Sequence, residues 1–92
     1  MTIDTNKHSN WLVYILLCSD DTLYTGCTND IDNRLKKHNT GVASKYTRCR
    51  LPVKLLYTEE CRNKSFALKR EYRIKQLTKK DKIQLIHRRK DK

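Results

Sequence analysis

No pair of cysteines in this chain has CxxC spacing, and no apolar run approaches the roughly 20 residues needed to span a bilayer. Acidic side chains almost vanish from its last third. The first absence argues against a structural zinc knuckle or ribbon: Cys18, Cys27, Cys49 and Cys61 are nine, twenty-two and twelve positions apart. Three of them fall in strand-like segments, where free cysteine behaves as a small buried hydrophobe. The second argues against a membrane span, and the polar stretch Met1–Asn10 lacks the apolar core of a secretion signal. A reduced, cytoplasmic protein is expected. The third concentrates the +11 net charge: residues 62–92 carry thirteen basic against three acidic side chains, and residues 1–61 eight against seven. A field of that sign attracts a polyanion, and nucleic acid fits better than a membrane surface because the basic stretch lacks a wide apolar face.

Ninety-two residues supply one small core and no second domain of ordinary size. Residues 1–10 read as a flexible tail, 11–88 as one domain and 89–92 as a basic tail. Trp11 to Cys18 is apolar on both faces, the pattern of a strand covered on both sides or central in a small sheet. Leu23 to Cys27 returns as its hairpin partner. A three-residue loop, Asp20-Asp21-Thr22, sets Ser19 opposite Leu23 and gives Tyr14 and Tyr24 the same parity, whereas a two-residue loop separates them.

Thr28, Asn29 or Asp30 caps a helix over about Asp30 to Asn39, with Gly41 as its stop. Residues 42–51 read as a polar, basic loop. Pro52 introduces a third strand, about Val53 to Glu60, with Val53, Leu55 and Tyr57 on one face. A second helix is expected from Asn63 or Ser65 to about Leu77, its apolar side made of Ala67, Leu68, Ile74 and Leu77. A third runs from Lys79 or Lys80 to about Arg88, carried by Ile83, Leu85 and Ile86. The expected fold is α+β, a three-stranded antiparallel sheet packed with about three helices.

Candidate chemistry gathers at few positions. Glu71 is the only acidic residue between Arg62 and Lys80 and lies beside the packing side of a basic helix. A half-buried carboxylate is costly unless paired, with Arg34, Lys75 or Arg70, or bound to a metal. Mg²⁺ suits a lone carboxylate because it keeps several waters and adds substrate phosphate, and Mn²⁺ is an alternative. Arg34 and His38 are four apart, so both leave the helix toward one place. Arg34 is either a solvated helix arginine or a fork for phosphate. His38 is a surface or cap histidine, or a proton relay. Tyr14 and Tyr24 are core-edge aromatics unless a nearby cation helps a phenol to accept a proton. Lys36, Lys37, Lys45, Arg48, Arg50, Arg70, Arg73, Lys75, Lys79, Lys80 and Lys82 are the candidates for nucleic-acid backbone contacts with little sequence choice.

Val13-Tyr14-Ile15, then Tyr24-Thr25-Gly26, then Arg34-Leu35-Lys36-Lys37-His38-Asn39 and Glu71 stand in one order. Over about residues 11–86 this series resembles the GIY-YIG nuclease superfamily, in particular its small single-domain bacterial branch. The first signature carries valine where the family has glycine. Thr47 fits the branch's threonine-containing loop, Ala67-Leu68 precedes the glutamate as in the family, and Lys82 before Leu85-Ile86 resembles its closing pattern. The resemblance implies a divalent-metal endonuclease with Glu71 holding the metal and Arg34 engaging phosphate. Tyr14 would activate water or accept its proton, while Tyr24 and His38 orient the reacting groups. The implied substrate is DNA, branched or nicked, with RNA not excluded and a protein partner for targeting possible. The alternative is a noncatalytic or partner-dependent DNA/RNA-binding module.

Overall fold

The computed structural model describes residues 10–90; of the expected tails over residues 1–10 and 89–92, residues 1–9 and 91–92 lie outside the described residues, and residues 89 and 90 continue the last helix. Its elements are β1 (Trp11–Leu17), β2 (Leu23–Thr28), α1 (Ile31–Asn39), α2 (Lys45–Arg48), β3 (Lys54–Cys61), α3 (Lys64–Lys75) and α4 (Lys79–Lys90). The three strands form an antiparallel sheet in the order β2-β1-β3, so the architecture is the expected α+β one. β1 is central, which explains its double-faced apolarity. Val13 and Ile15 enter a core with Tyr57, Ala67, Ile74 and Ile86 on one face. Tyr14 and Leu16 join Cys18 and Val53 on the other, where Ile31 and Leu35 of α1 close over them. Helices therefore cover both sides of the sheet.

The β1–β2 loop has three residues, as expected, but they are Ser19–Asp21. Cys18 N–H donates to the Thr22 carbonyl at 2.9 Å, and Asp21 N–H donates to the Cys18 carbonyl at 3.0 Å. Asp21 takes the left-handed position at φ 70°, which aspartate tolerates, and the Asp20 carboxylate accepts from the Thr22 amide and hydroxyl. Those local bonds close the loop one residue early, so Leu23 faces Leu17 and not Ser19. The parity survives: Tyr14 faces Gly26, and Leu16 faces Tyr24.

β3 departs from the expected face pattern. Ile15 pairs with Tyr57 but Leu16 with Leu55, leaving Leu56 as an extra residue at a bulge. Because side-chain direction alternates with period two, the bulge puts Val53 and Leu55 on the tyrosine face and Tyr57 on the opposite one.

Asp30 caps α1 by accepting from the Asn33 amide at 3.2 Å. Gly41, at φ 84°, ends it: Gly41 and Val42 N–H groups donate to the His38 and Lys37 carbonyls. The expected loop 42–51 contains one helical turn, α2, because the Ser44 hydroxyl accepts from the Tyr46 and Thr47 amides. Asn63 caps α3, whose buried side is Ala67 and Ile74. Leu68 lies about 100° around the helix from Ala67 and is exposed, and Leu77 lies past the helix end and is exposed too. In α4, Ile86 is buried and Leu85 packs beside the core, while Ile83 faces outward. No helix among the described residues is long and apolar enough to cross a membrane.

Candidate active site

Tyr14 and Tyr24 project from adjacent strands on the sheet face covered by α1. Their ring centroids are 6.5 Å apart. Tyr14 lies across the backbone of Gly26, its partner on β2. A Cβ at position 26 would stand 2.5 Å from the Tyr14 hydroxyl oxygen, so the missing side chain is what lets the phenol occupy that place. Val13, by contrast, points into the opposite core, so valine in the first signature intrudes on nothing at the tyrosine face.

His38 arrives from α1 and is buried. Its Nε2 is 2.9 Å from the Tyr14 hydroxyl and its Nδ1 is 2.8 Å from Thr47 Oγ1. Thr47 is itself fully buried, and its hydroxyl reaches the Ser44 carbonyl at 3.5 Å. That carbonyl can only accept, so Thr47 donates to it and accepts from His38 Nδ1–H. Nε2 is then left to accept from Tyr14. Burial, helped by the Arg34 guanidinium, holds the His38 pKa below its ordinary value, which keeps the imidazole neutral as this chain requires. Burial also drives the Tyr14 pKa far up; Tyr24, Glu71 and Cys27 push the same way and Arg34 opposes them. Tyr14 is thus a phenol aimed at a neutral base.

Arg34, one turn before His38, is half-buried, and its guanidinium has no hydrogen-bond or ion-pair partner among the described residues. Its charge acts on both Tyr14 and His38. Tyr24 is held in an aromatic column: its ring is 5.2 Å from the His38 ring and stacks at 5.9 Å on Tyr46, over which the Arg50 guanidinium lies at 4.0 Å. Arg50 is fixed by Asp20 at 2.8 Å and by the Tyr46 carbonyl at 2.9 Å.

Glu71 comes from α3, in the layer on the other side of the sheet, which also packs along the edge strand β2. Its carboxylate pairs with Lys75 at 2.9 Å, one of the three cations the sequence left open. Burial, with the neighbouring Glu71 carboxylate, pushes the Cys27 thiol up to about 12. Among the described residues there is no group of three side chains able to hold a metal ion. The donor set is one carboxylate, which fits Mg²⁺ held mainly by water and phosphate and does not fit a closed zinc site.

The candidate backbone contacts divide into two groups. Arg50 pairs with Asp20, Arg70 with Glu59 at 2.5 Å, Lys75 with Glu71, and Lys79 with Asp21 at 3.4 Å. Lys36, Lys37, Lys45, Arg48, Arg73, Lys80 and Lys82 make no ion pair among the described residues. The first four lie on α1 and α2, the elements that carry His38 and Thr47.

Sequence reasoning brought forward Tyr14, Tyr24, Arg34, His38 and Glu71; Tyr14, Tyr24 and His38 pack together, Arg34 lies one helical turn from His38, and the ammonium paired with Glu71 stands 6.0 Å from the Tyr24 ring. It missed the role of Gly26, the stacking of Tyr46 and the thiol of Cys27. Thr47 it placed only in a matching loop. The spacing Ser44 to Thr47, a helix cap three residues before a threonine, was the available signal for that buried turn.

A family model described as the GIY-YIG catalytic domain matches residues 10–84. A UPF0213 protein of Clostridium perfringens is 57% identical over 74 residues, which span 80% of each chain. One from Bacillus velezensis is 50% identical over 84 residues, 91% of this chain and 82% of its own. Among solved structures, the solution NMR structure of a UPF0213 protein from Bacillus halodurans is 45% identical, covers 85% of this chain and 83% of its own, and has a TM-score of 0.55. That of a protein from E. faecalis is 36% identical, covers 90% and 88%, and has a TM-score of 0.63. The chain belongs to the GIY-YIG superfamily.

Proposed function

We propose that this protein binds nucleic acid over the α1–α2 surface and hydrolyses DNA phosphodiesters there with the help of Mg²⁺ or Mn²⁺. The supporting observation is the buried chain from Tyr14 through His38 and Thr47 to the Ser44 carbonyl, which gives a phenol a proton acceptor it can use without solvent. In this reading the scissile phosphate lies against Arg34, the half-buried guanidinium with no protein partner among the described residues. Water attacks phosphorus as the P–O bond to the leaving oxygen breaks, and the departing oxygen takes a proton from solvent water; the attacking water's proton passes to the Tyr14 oxygen as the Tyr14 proton moves to His38 Nε2, which burial and Arg34 otherwise keep neutral. Thr47 holds the imidazole in the tautomer that can accept. Tyr24, stacked in its column, presents its hydroxyl at the same face. Glu71 would hold the divalent cation, which when bound stabilises charge on the phosphate and leaving oxygen. Unpaired Lys36, Lys37, Lys45 and Arg48 grip the flanking backbone with little sequence choice, which suits branched or nicked DNA recognised by shape.

A noncatalytic or partner-dependent nucleic-acid-binding module is the second reading. One observation favours it: among the described residues no cluster of metal-ligating side chains joins Glu71, and Glu71 is already engaged by Lys75. End-labelled linear, single-stranded, flapped, nicked and branched DNAs, with RNA counterparts, separate the two when incubated with Mg²⁺, Mn²⁺ or EDTA. Metal-dependent products from the wild type that disappear with Glu71→Ala, while binding persists, are expected. Salt-dependent retention without products selects the binding module.

A further inference from the structure

The carboxylate assigned to the cation already has one. Glu71 and Lys75 are one helical turn apart with the acid N-terminal, the favourable order for such a pair, and their charged atoms are 2.9 Å apart. The Lys75 ammonium also stands 6.0 Å from the Tyr24 ring, so it reaches the tyrosine side of the site from α3. Its side chain is 47% exposed, against 17% for Glu71, so the lysine can swing into solvent while the carboxylate stays. Lys82 of α4 adds a second ammonium within electrostatic reach of Lys75 and has no ion pair among the described residues. The Lys75 ammonium thus cancels the carboxylate's charge, and a divalent cation entering there must displace it.

We propose that Lys75 is the exchangeable counter-ion of Glu71, holding the carboxylate in the free protein and released when a divalent cation loads. This rests on the nuclease reading, because it takes Glu71 as the cation ligand. Two consequences follow from charge alone. Lys75 weakens cation binding to the free protein, and the released ammonium, with Lys82, is left to meet a phosphate. Cation and nucleic acid therefore load cooperatively, each neutralising what the other finds repulsive.

Mn²⁺ binding to the whole chain, followed by loss of the free-ion electron paramagnetic resonance signal, tests this without any cleavage assay. The variants are Lys75→Met, Lys75→Gln, Lys75→Arg and Glu71→Gln, each with its thermal melt recorded. Both neutral replacements should bind Mn²⁺ about fivefold more tightly, the gain expected from removing a partly exposed ion pair. Lys75→Arg should match the wild type, and Glu71→Gln should lose binding. A short duplex should tighten Mn²⁺ binding to the wild type more than to Lys75→Met. Unchanged or weaker Mn²⁺ binding by the folded neutral variants overturns the proposal, as does a failure of every variant to bind Mn²⁺. Tighter binding by Lys75→Met with no cleavage by any protein upholds the counter-ion and removes the nuclease reading. Cleavage that depends on Glu71, with identical Mn²⁺ midpoints, removes the counter-ion alone.

Discussion

At the scale of single residues, Tyr14 and His38 divide one proton between two buried groups. Burial disfavours charge on each, raising the phenol and lowering the imidazole, so the resting pair is neutral. Tyr14→Phe removes only the hydroxyl and should lower the cleavage rate about 10²- to 10⁴-fold with DNA affinity kept, measured by single-turnover kinetics beside a binding isotherm. His38 also makes a stability prediction. Its unfolded pKa is near 6.5 and its folded pKa lies below that, so unfolding takes up a proton as the pH drops under the unfolded value. The melting temperature should therefore fall as pH is lowered from neutrality, and His38→Gln should flatten that slope in circular dichroism melts. Both residues were legible as candidates from the order of the chain. That they touch was not, because they are 24 positions apart and meet only when α1 lies on the sheet.

At the scale of elements, the site depends on how β1 meets β2 and how α2 caps itself. The hairpin's odd loop length brings both tyrosines to one face, which the sequence allowed one to deduce. The particular three residues in the loop were decided by the Asp20 carboxylate and the left-handed Asp21. Gly26→Ala should displace the Tyr14 ring, cost about 1–3 kcal/mol in chemical denaturation, and reduce cleavage together with stability. The bulge between β1 and β3 shows the opposite case: alternation read from Val53, Leu55 and Tyr57 cannot register one extra residue whose only cause is pairing with another strand. In α3 the apolar side narrows to Ala67 and Ile74 because two helices share that face of a small sheet, leaving Leu68 outside.

At the scale of the whole molecule, net charge overstates the available positive surface. Four of the eleven candidate contacts are spent on internal ion pairs, so the remaining seven lie on α1, α2, α3 and α4, four of them on α1 and α2. Lys45→Gln with Arg48→Gln should weaken DNA binding and lower the slope of log affinity against log salt by about 2, near 0.9 for each lost phosphate contact. Arg70→Gln should leave that slope unchanged and instead lower the melting temperature, since it strips Glu59 of its guanidinium. Titrations at several salt concentrations distinguish the two.

The order of residues along the chain was enough for the three strands, the three longer helices, the shared parity of the tyrosines and the five candidate site residues. Those are set by local periodicity, caps and the order of side chains, which neighbours along the chain carry. That order was not enough to show that Tyr14 lies over Gly26, that Thr47 orients His38, or that Lys75 rather than Arg34 or Arg70 takes Glu71. Each of these depends on distances between elements, and a pattern along one dimension fixes a residue's direction without fixing what stands opposite it.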